Sequence, residues 1–100
     1  MDFDAVLLPP RREKMIQEGY WLNKTILQSL NEAVHQYPDK IGLVSYKTED
    51  QSETSFTYRE MLHTANRMAL GLKRLGVQKQ DIVSCQLPNW WEFTLLYIAC

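Results

Sequence analysis

The sequence predicts an α/β fold, because strand-like and helix-like segments alternate along its second half. Residues 41–46 and 82–87 are rich in strand-forming side chains, and the segment between them contains a long run with apolar residues at helical spacing. A strand, a helix and a second strand in this order favour a right-handed parallel crossover. One hundred residues suffice for a single compact domain, and 45% hydrophobic with 23% charged residues is typical of a soluble globular protein.

Residues 1–24 are predicted to form an N-terminal arm with a short helix. Residues 11–18 are charged and favour a helix, and Gly19 follows where helices often end in a left-handed residue. Tyr20, Trp21 and Leu22 form an apolar clump that we expect to anchor the arm on a larger body.

A second helix is predicted over residues 26–35, followed by two strands. Thr25 and Gln28 have the spacing of a capping box, and Pro38 ends the helical pattern because proline lacks an amide donor. Residues 41–46 and 55–57 are strand-like and flank a polar loop, which predicts an antiparallel pair.

The third predicted helix opens with a capping box of Thr57 and Glu60 and ends at a glycine cap, Gly76. Lys73 and Arg74 in its last turn interact favourably with the helix dipole. One face of this helix is predicted to be apolar and comprises Met61, Leu62, Ala65, Met68, Ala69, Leu72 and Leu75.

The last predicted helix is apolar on nearly every side. Asn89 and Glu92 have capping spacing at its start, and no glycine, basic turn or proline marks an end before Cys100. A helix of this kind belongs inside a protein, so we expect the polypeptide to be cut within a larger fold, truncated at residue 100. The alternative is a complete small protein that dimerises through residues 90–100.

The near-equal numbers of acidic and basic side chains exclude the classes of partner that bind through long-range electrostatic attraction. Eleven basic and twelve acidic side chains leave a formal charge of −1, so nucleic acid and anionic membrane surfaces are not expected partners. The basic pairs Arg11-Arg12 and Lys73-Arg74 are expected to face solvent. No apolar run is long enough to span a bilayer and the start lacks a secretory signal, so we expect a cytoplasmic protein.

No residue is assigned a catalytic, cofactor-binding or metal-binding role from the sequence. His35 and His63 lack the spacing of a helical metal site and are expected at exposed helical positions. Gly71 and Gly76 flank residues that continue a helical face, so they are expected in a helix and at its cap rather than in a phosphate loop.

The two cysteines and the two adjacent tryptophans are assigned packing roles in preference to functional ones. Cys85 and Cys100 offer neither a disulfide framework nor metal-ligand spacing, and we expect both to be small buried hydrophobic residues. Trp90 and Trp91 follow a strand-like run, where open α/β sheets often bind ligands, so one of them could line a pocket. The favoured alternative packs one under the sheet and the other over a neighbouring subdomain.

A series of short blocks resembles the opening of adenylate-forming enzymes, a superfamily that includes acyl-CoA synthetases, nonribosomal adenylation domains and luciferases. The blocks occur in the expected order across residues 25–100: YPDKIGLV at 37–44, FTYRE at 56–60, GLKRLGV at 71–77 with DIV at 81–83, and QLPN at 86–89 with EF at 92–93. Residues 11–21 and 86–100 look most like the branch of short-chain acyl-CoA synthetases and cyclohexanecarboxylate-CoA ligases. Gln80 stands where the superfamily commonly has glycine.

The resemblance implies that residues 25–100 begin a large AMP-binding domain with a three-layer α/β sheet, completed by the remainder of the polypeptide. It also implies a ligase of fatty acid metabolism that uses ATP, Mg²⁺ and CoA to activate a carboxylic acid and transfer it to CoA. The family's catalytic motifs lie downstream of the matched region. The 100 residues alone are therefore expected to be inactive and to self-associate through the apolar last helix.

Two alternatives remain open at this point. One is a small non-catalytic α/β interaction module that dimerises through residues 90–100. The other is an adenylation domain that feeds a carrier protein instead of CoA.

Overall fold

The computed structural model describes residues 8–100 and contains four helices and one two-stranded sheet in that range. The first seven residues of the predicted arm, including the segment searched for a secretory signal, lie outside the described residues. The elements in chain order are α1 (Pro9–Gln17), α2 (Ile26–Gln36), β1 (Ile41–Lys47), β2 (Ser52–Thr57), α3 (Tyr58–Arg74) and α4 (Trp91–Ala99).

The predicted helix of the arm is confirmed as α1, which begins two residues earlier than expected. Gly19 has a φ of 77°, and its amide donates to the Ile16 carbonyl at 3.1 Å while the Tyr20 amide donates to the Met15 carbonyl at 3.0 Å. This pair of bonds is the Schellman motif, which requires the left-handed residue that glycine adopts without strain. The Tyr20 and Leu22 side chains stay exposed, so the docking of this clump stays a prediction.

The capping box of α2 is formed as predicted. The Gln28 amide donates to the Thr25 hydroxyl at 3.1 Å, and the Thr25 amide donates to the Gln28 side chain at 2.7 Å. The helix runs one residue beyond the predicted end, and the Tyr37 amide closes it with a 2.7 Å bond to the Ala33 carbonyl just before Pro38.

Strands β1 and β2 form the predicted antiparallel hairpin, with β2 beginning three residues earlier than expected. Ile41 pairs with Thr57 and Leu43 pairs with Phe56, so β1 has one extra residue, Gly42, in a bulge.

The loop between these strands is closed by one acidic side chain. The Asp50 carboxylate accepts the Ser52 amide at 3.0 Å. Hydrogen bonds from the Ser52 side chain and amide hold the pKa of this carboxyl below its usual value.

Helix α3 follows β2 directly, because Thr57 ends the strand and caps the helix. The Glu60 amide donates to the Thr57 hydroxyl at 3.2 Å, and the Thr57 amide donates to the Glu60 carboxylate at 2.8 Å. At the other end Gly76 has a φ of 94°, and the Val77 amide donates to the Leu72 carbonyl at 3.1 Å. Both predicted ends are confirmed, but Leu75, expected on the apolar face, is 83% exposed.

The core lies where three helices meet over the hairpin. Leu30 of α2, Met61 of α3 and Leu95 of α4 form its buried centre, and Leu95 is fully buried. Leu43 and Phe56 pack against this centre from the side of the hairpin. Each of the three helices therefore contributes one large side chain to the same small core.

The predicted strand over residues 82–87 is wrong. The segment is irregular, has no ladder partner among residues 8–100, and leaves Ile82 73% exposed. A strand needs a neighbour to accept and donate its backbone hydrogen bonds, and the described residues place no other strand beside this segment. The predicted parallel crossover is therefore also wrong for this structure. The mixture of helices with a small two-stranded sheet is compatible with the coarser prediction of an α/β fragment.

Candidate functional site

The start of α4 is fastened to β1 by three interactions, which together define the β1–α4 junction. The Trp91 amide donates to the hydroxyl of buried Ser45 at 3.0 Å. The Lys47 ammonium lies 2.7 Å from a Glu92 carboxylate oxygen and 4.2 Å from the ring centre of Trp90. The strand thus supplies a hydrogen-bond acceptor, Ser45, and a cation, Lys47, which contacts both a carboxylate and an aromatic ring at the start of the helix.

The junction replaces the cap that the sequence predicts. The N-cap residue of α4 is Trp90, not Asn89, and the Trp90 side chain makes no capping hydrogen bond. Free amides at a helix start need an acceptor, and here Ser45 provides one from a strand far away in sequence. The predicted Asn89-led cap is therefore wrong, because a tertiary contact satisfies the amide instead.

The ion pair of the junction is partly shielded from water. The Lys47 and Glu92 side chains are 22% and 29% exposed, and one Glu92 carboxylate oxygen is buried without a partner among the described residues. A charge pair in this setting is screened less than one on the open surface. The ion pair is suited to fixing the position of α4, because neither carboxylate oxygen of Glu92 opens into one of the clefts described below.

The two tryptophans occupy different environments, and these are close to the predicted packing. The Trp91 ring lies 5.1 Å from the ring of Phe56 on β2, at an interplanar angle of 47°, and joins the core. This confirms that one of them packs on the sheet. The Trp90 ring lies against the Lys47 ammonium, and its packing on a neighbouring subdomain stays a prediction. Neither tryptophan lines either of the two clefts described below.

An open groove of about 830 Å³ runs between the second half of α3, the irregular segment after it and α4. Leu72, Val83 and Leu96 line its floor, and Lys73, Lys79 and Asp81 lie among its remaining lining residues. A mostly apolar groove of this size suits a hydrophobic side chain or segment rather than a charged ligand.

Both cysteines line this groove and both are exposed, so the prediction that they are buried is wrong. The reason is the missing strand. Cys85 would be covered if residues 82–87 lay within a sheet, and Cys100 directly follows the last turn of α4, beside the open groove.

A second, smaller cleft of about 390 Å³ lies where β2 meets the first turns of α3. Its polar lining residues are Ser55, Arg59, Glu60, His63 and Thr64. The Glu60 carboxylate is already engaged in the capping box, so the other polar groups of the lining are the Arg59 guanidinium, the His63 imidazole and the hydroxyls of Ser55 and Thr64.

The histidines and glycines lie where the sequence predicts. His35 is in the last turn of α2 and His63 is on the outer face of α3, and both are exposed. Gly71 lies inside α3 and Gly76 lies just past its end, so neither belongs to a phosphate-binding loop. Arg11 and Arg12 are exposed, as expected.

The part of the chain that the structure describes has no cluster of metal-ligating side chains. Across residues 8–100, no group of three or more His, Cys, Asp or Glu side chains is placed to hold a metal ion. Within the same range, no helix is both long and apolar enough to cross a membrane.

Comparison with known proteins gives the affiliation of the chain. A family model described as AMP-binding enzyme matches residues 30–100, which include all of β1, β2, α3 and α4. The chain belongs to the AMP-binding enzyme family. The resemblance seen in the sequence blocks is thereby confirmed at the level of the family.

Three relatives in the AMP-binding family illustrate the range of similarity. The medium-chain fatty-acid–CoA ligase of Escherichia coli is 32% identical over 90 residues, covering 90% of this chain. The 2,3-dihydroxybenzoate-AMP ligase of Bacillus subtilis is 34% identical over 77% of this chain, and the human mitochondrial acetyl-coenzyme A synthetase 2-like protein is 37% identical over 70% of it. No solved structure matches the chain.

The matched region is a small part of each AMP-binding relative. The chain spans 15% of the length of the E. coli ligase, 13% of the B. subtilis ligase and 10% of the human protein. These relatives include CoA ligases and AMP ligases, and they do not single out the short-chain or cyclohexanecarboxylate branch.

Sequence reasoning missed the β1–α4 junction. Ser45 and Lys47 alternate along β1 and so share a face of the strand, but their partners on α4 are 46 and 45 residues away. A lysine in a strand-like run was the one local signal, because lysine is depleted in strands unless it has a role at an edge.

Proposed function

We propose that this chain is scaffold from the N-terminal domain of an acid–CoA ligase. In such an enzyme a carboxylate attacks the α-phosphate of ATP, releasing pyrophosphate, and the thiol of CoA then attacks the acyl carbon and displaces AMP. Residues 25–100 would begin the AMP-binding domain and residues 1–24 would form an arm that docks on it. The cytoplasmic location expected from the sequence stays a prediction.

The observation that carries this proposal is the family match over residues 30–100. Most of the sequence blocks lie on helices and strands, whereas DIV at 81–83 and QLPN at 86–89 lie in the irregular segment before α4. The block at 37–44 forms β1 and its approach, the block at 56–60 joins β2 to α3, and the block at 71–77 forms the end of α3. The QLPN block leads into α4, where the junction fixes the helix to β1. The residues of these blocks thus have structural roles in the fold.

We further propose that the 100 residues alone do not catalyse adenylate formation. The polar groups that they bring together are structural: the Glu60 carboxylate caps α3 and the Glu92 carboxylate holds Lys47. The large groove is mostly apolar and offers no cluster of cations for a triphosphate.

The test is ATP–pyrophosphate exchange with labelled pyrophosphate, Mg²⁺ and a panel of short-chain, cyclic and medium-chain acids. We expect no exchange above a protein-free blank, while a full-length CoA ligase run in parallel gives a clear signal. Exchange with any acid would overturn the inactivity proposal. If the chain is extended with the downstream sequence of its gene, we expect exchange to appear with short-chain or cyclohexane carboxylic acids.

An adenylation domain that feeds a carrier protein is the second candidate. The salicyl-AMP ligase / salicyl-S-ArCP synthetase of Mycobacterium tuberculosis is 31% identical over 81 residues of this chain, so both acceptor types occur at similar levels of similarity. An acceptor assay on the extended protein separates the two, because only one of CoA and a phosphopantetheinyl carrier would discharge the acyl-adenylate.

A dimerising interaction module is the third candidate, and the exposure of α4 is the observation that favours it. Tyr97 is 65% exposed and Phe93 is 39% exposed, although α4 is apolar overall. Light scattering tests whether the chain forms a discrete dimer that Tyr97→Glu converts to a monomer, as this candidate requires. A monomer at every concentration would remove this candidate.

A further inference from the structure

The outer face of α3 carries a row of basic side chains, although the chain as a whole is slightly acidic. The helix contains four Lys and Arg residues and one Glu, so it carries +3 within a chain of formal charge −1. The remaining residues therefore carry −4. We define the basic stripe as the exposed residues Arg59, His63, Arg67, Lys73 and Arg74.

Helical geometry places these side chains on one face. Arg59, His63 and Arg67 are four residues apart, and Arg74 follows Arg67 by seven, so they are neighbours along the surface of the helix. At a rise of about 1.5 Å per residue the stripe is roughly 22 Å long. The opposite face holds Met61 and Ala65 in the core.

Interactions within the chain account for only part of the stripe. Arg59 lies 3.2 Å from Asp39, but both side chains are more than 60% exposed, and such surface pairs contribute little to stability. Cations near a helix C-terminus are favoured by the dipole, which explains Lys73 and Arg74. The same dipole disfavours Arg59 in the first turn, and Arg67 makes no salt bridge with any residue in the 8–100 range.

The smaller cleft adds polar groups beside the basic stripe near the N-terminus of α3. Arg59 and His63 share this cleft of about 390 Å³ with the side chains of Ser55 and Thr64. Hydroxyl and cationic groups around one opening can donate several hydrogen bonds to a carboxylate.

We propose that the basic stripe of α3 is a docking surface for an acidic helix of a partner protein. The planar guanidinium groups match carboxylates in a two-bond geometry, and a partner helix with carboxylates at every fourth position has the same repeat as the stripe. Leu70 is the one large exposed apolar side chain between Arg59 and Arg74, too little to insert into a bilayer.

The test measures binding of the 100-residue chain to a fluorescent, alanine-based 16-residue helical peptide with glutamate at every fourth position. Fluorescence anisotropy is recorded at several salt concentrations for the wild-type chain, for Arg67→Glu/Arg74→Glu and for the control Arg11→Glu/Arg12→Glu. The two double variants have the same net charge, and all four arginines are exposed. Circular dichroism checks that each variant is folded.

We expect the stripe variant to bind the peptide at least about tenfold more weakly than wild type, and the control to stay within about twofold, because like charges facing one another oppose binding. Equal losses in both variants, or no binding by the wild-type chain, would overturn the proposal. Duplex RNA and phosphatidylserine vesicles serve as further probes. Tighter binding of either one than of the peptide would also overturn it.

Discussion

Replacement of Gln80 by glycine is expected to stabilise the protein. Gln80 has a φ of 75° in the turn formed by residues 78–81, which is closed by a 3.1 Å bond from the Asp81 amide to the Gln78 carbonyl. A positive φ at the third position of such a turn is typical of type II, which favours glycine there. The Gln80 side chain is exposed, so its removal loses little packing.

The magnitude follows from two opposing effects. A left-handed conformation costs a residue with a Cβ about 1–2 kcal/mol, and glycine removes that cost. Glycine also gains freedom in the unfolded chain, which offsets about 0.5–1 kcal/mol of the benefit. The net gain in the free energy of unfolding lies between about 0 and 1.5 kcal/mol, and its midpoint of about 0.75 kcal/mol corresponds to a rise in Tm of about 3–6 °C for a domain of this size.

Thermal unfolding followed by circular dichroism measures the effect, and Gln78→Gly is the matched control. Gln78 lies two residues away and is not among the residues with positive φ, and its amide donates to the Asp81 carboxylate at 2.8 Å. The control should lower the free energy of unfolding by about 0.5–1 kcal/mol. If Gln80→Gly lowers Tm by as much as Gln78→Gly, the assignment of strain to Gln80 is wrong.

Three further substitutions probe the core, the junction and the bulge. Leu95→Ala should cost about 2–5 kcal/mol in urea unfolding because Leu95 is fully buried, whereas Leu75→Ala, at a position 83% exposed, should change stability by less than about 0.5 kcal/mol. A double-mutant cycle of Lys47→Met and Glu92→Gln should give a coupling of about 1 kcal/mol that weakens in high salt, and zero coupling would mean that the ion pair does not form in solution. Gly42→Ala should cost about 1–3 kcal/mol, because its Cβ would lie 2.6 Å from a tyrosine ring carbon, and an unchanged Tm would show that the ring moves aside freely.

Local signals account for the parts of the fold that were predicted correctly. The capping boxes at Thr25 and Thr57 each join residues three apart, and the glycine-capped ends at Gly19 and Gly76 are closed by bonds spanning three to five residues. These interactions are specified by adjacent sequence, so composition and spacing are enough to locate them. The family, too, followed from the ordered blocks.

Contacts between distant segments account for the errors. Residues 82–87 have strand-forming side chains, but a strand exists only with a neighbour, and the exposure of Cys85 follows from the same lack of cover. The start of α4 was misplaced by one residue because its acceptor, Ser45, comes from β1. The sequence assigned no catalytic, cofactor-binding or metal-binding residue, and that assignment stays a prediction.

The β1–α4 junction has a consequence for the order in which the molecule folds. The hairpin joins Lys47 to Ser52, five residues apart, whereas the junction joins Lys47 to Glu92 across 45 residues. The entropic cost of closing a loop rises by about 0.6 kcal/mol for each doubling of its length. Closing the junction therefore costs about 2 kcal/mol more than closing the hairpin. Helix α4 should therefore attach last and detach first, and in hydrogen exchange its amides should lose protection in a partial opening that leaves the hairpin and α3 intact.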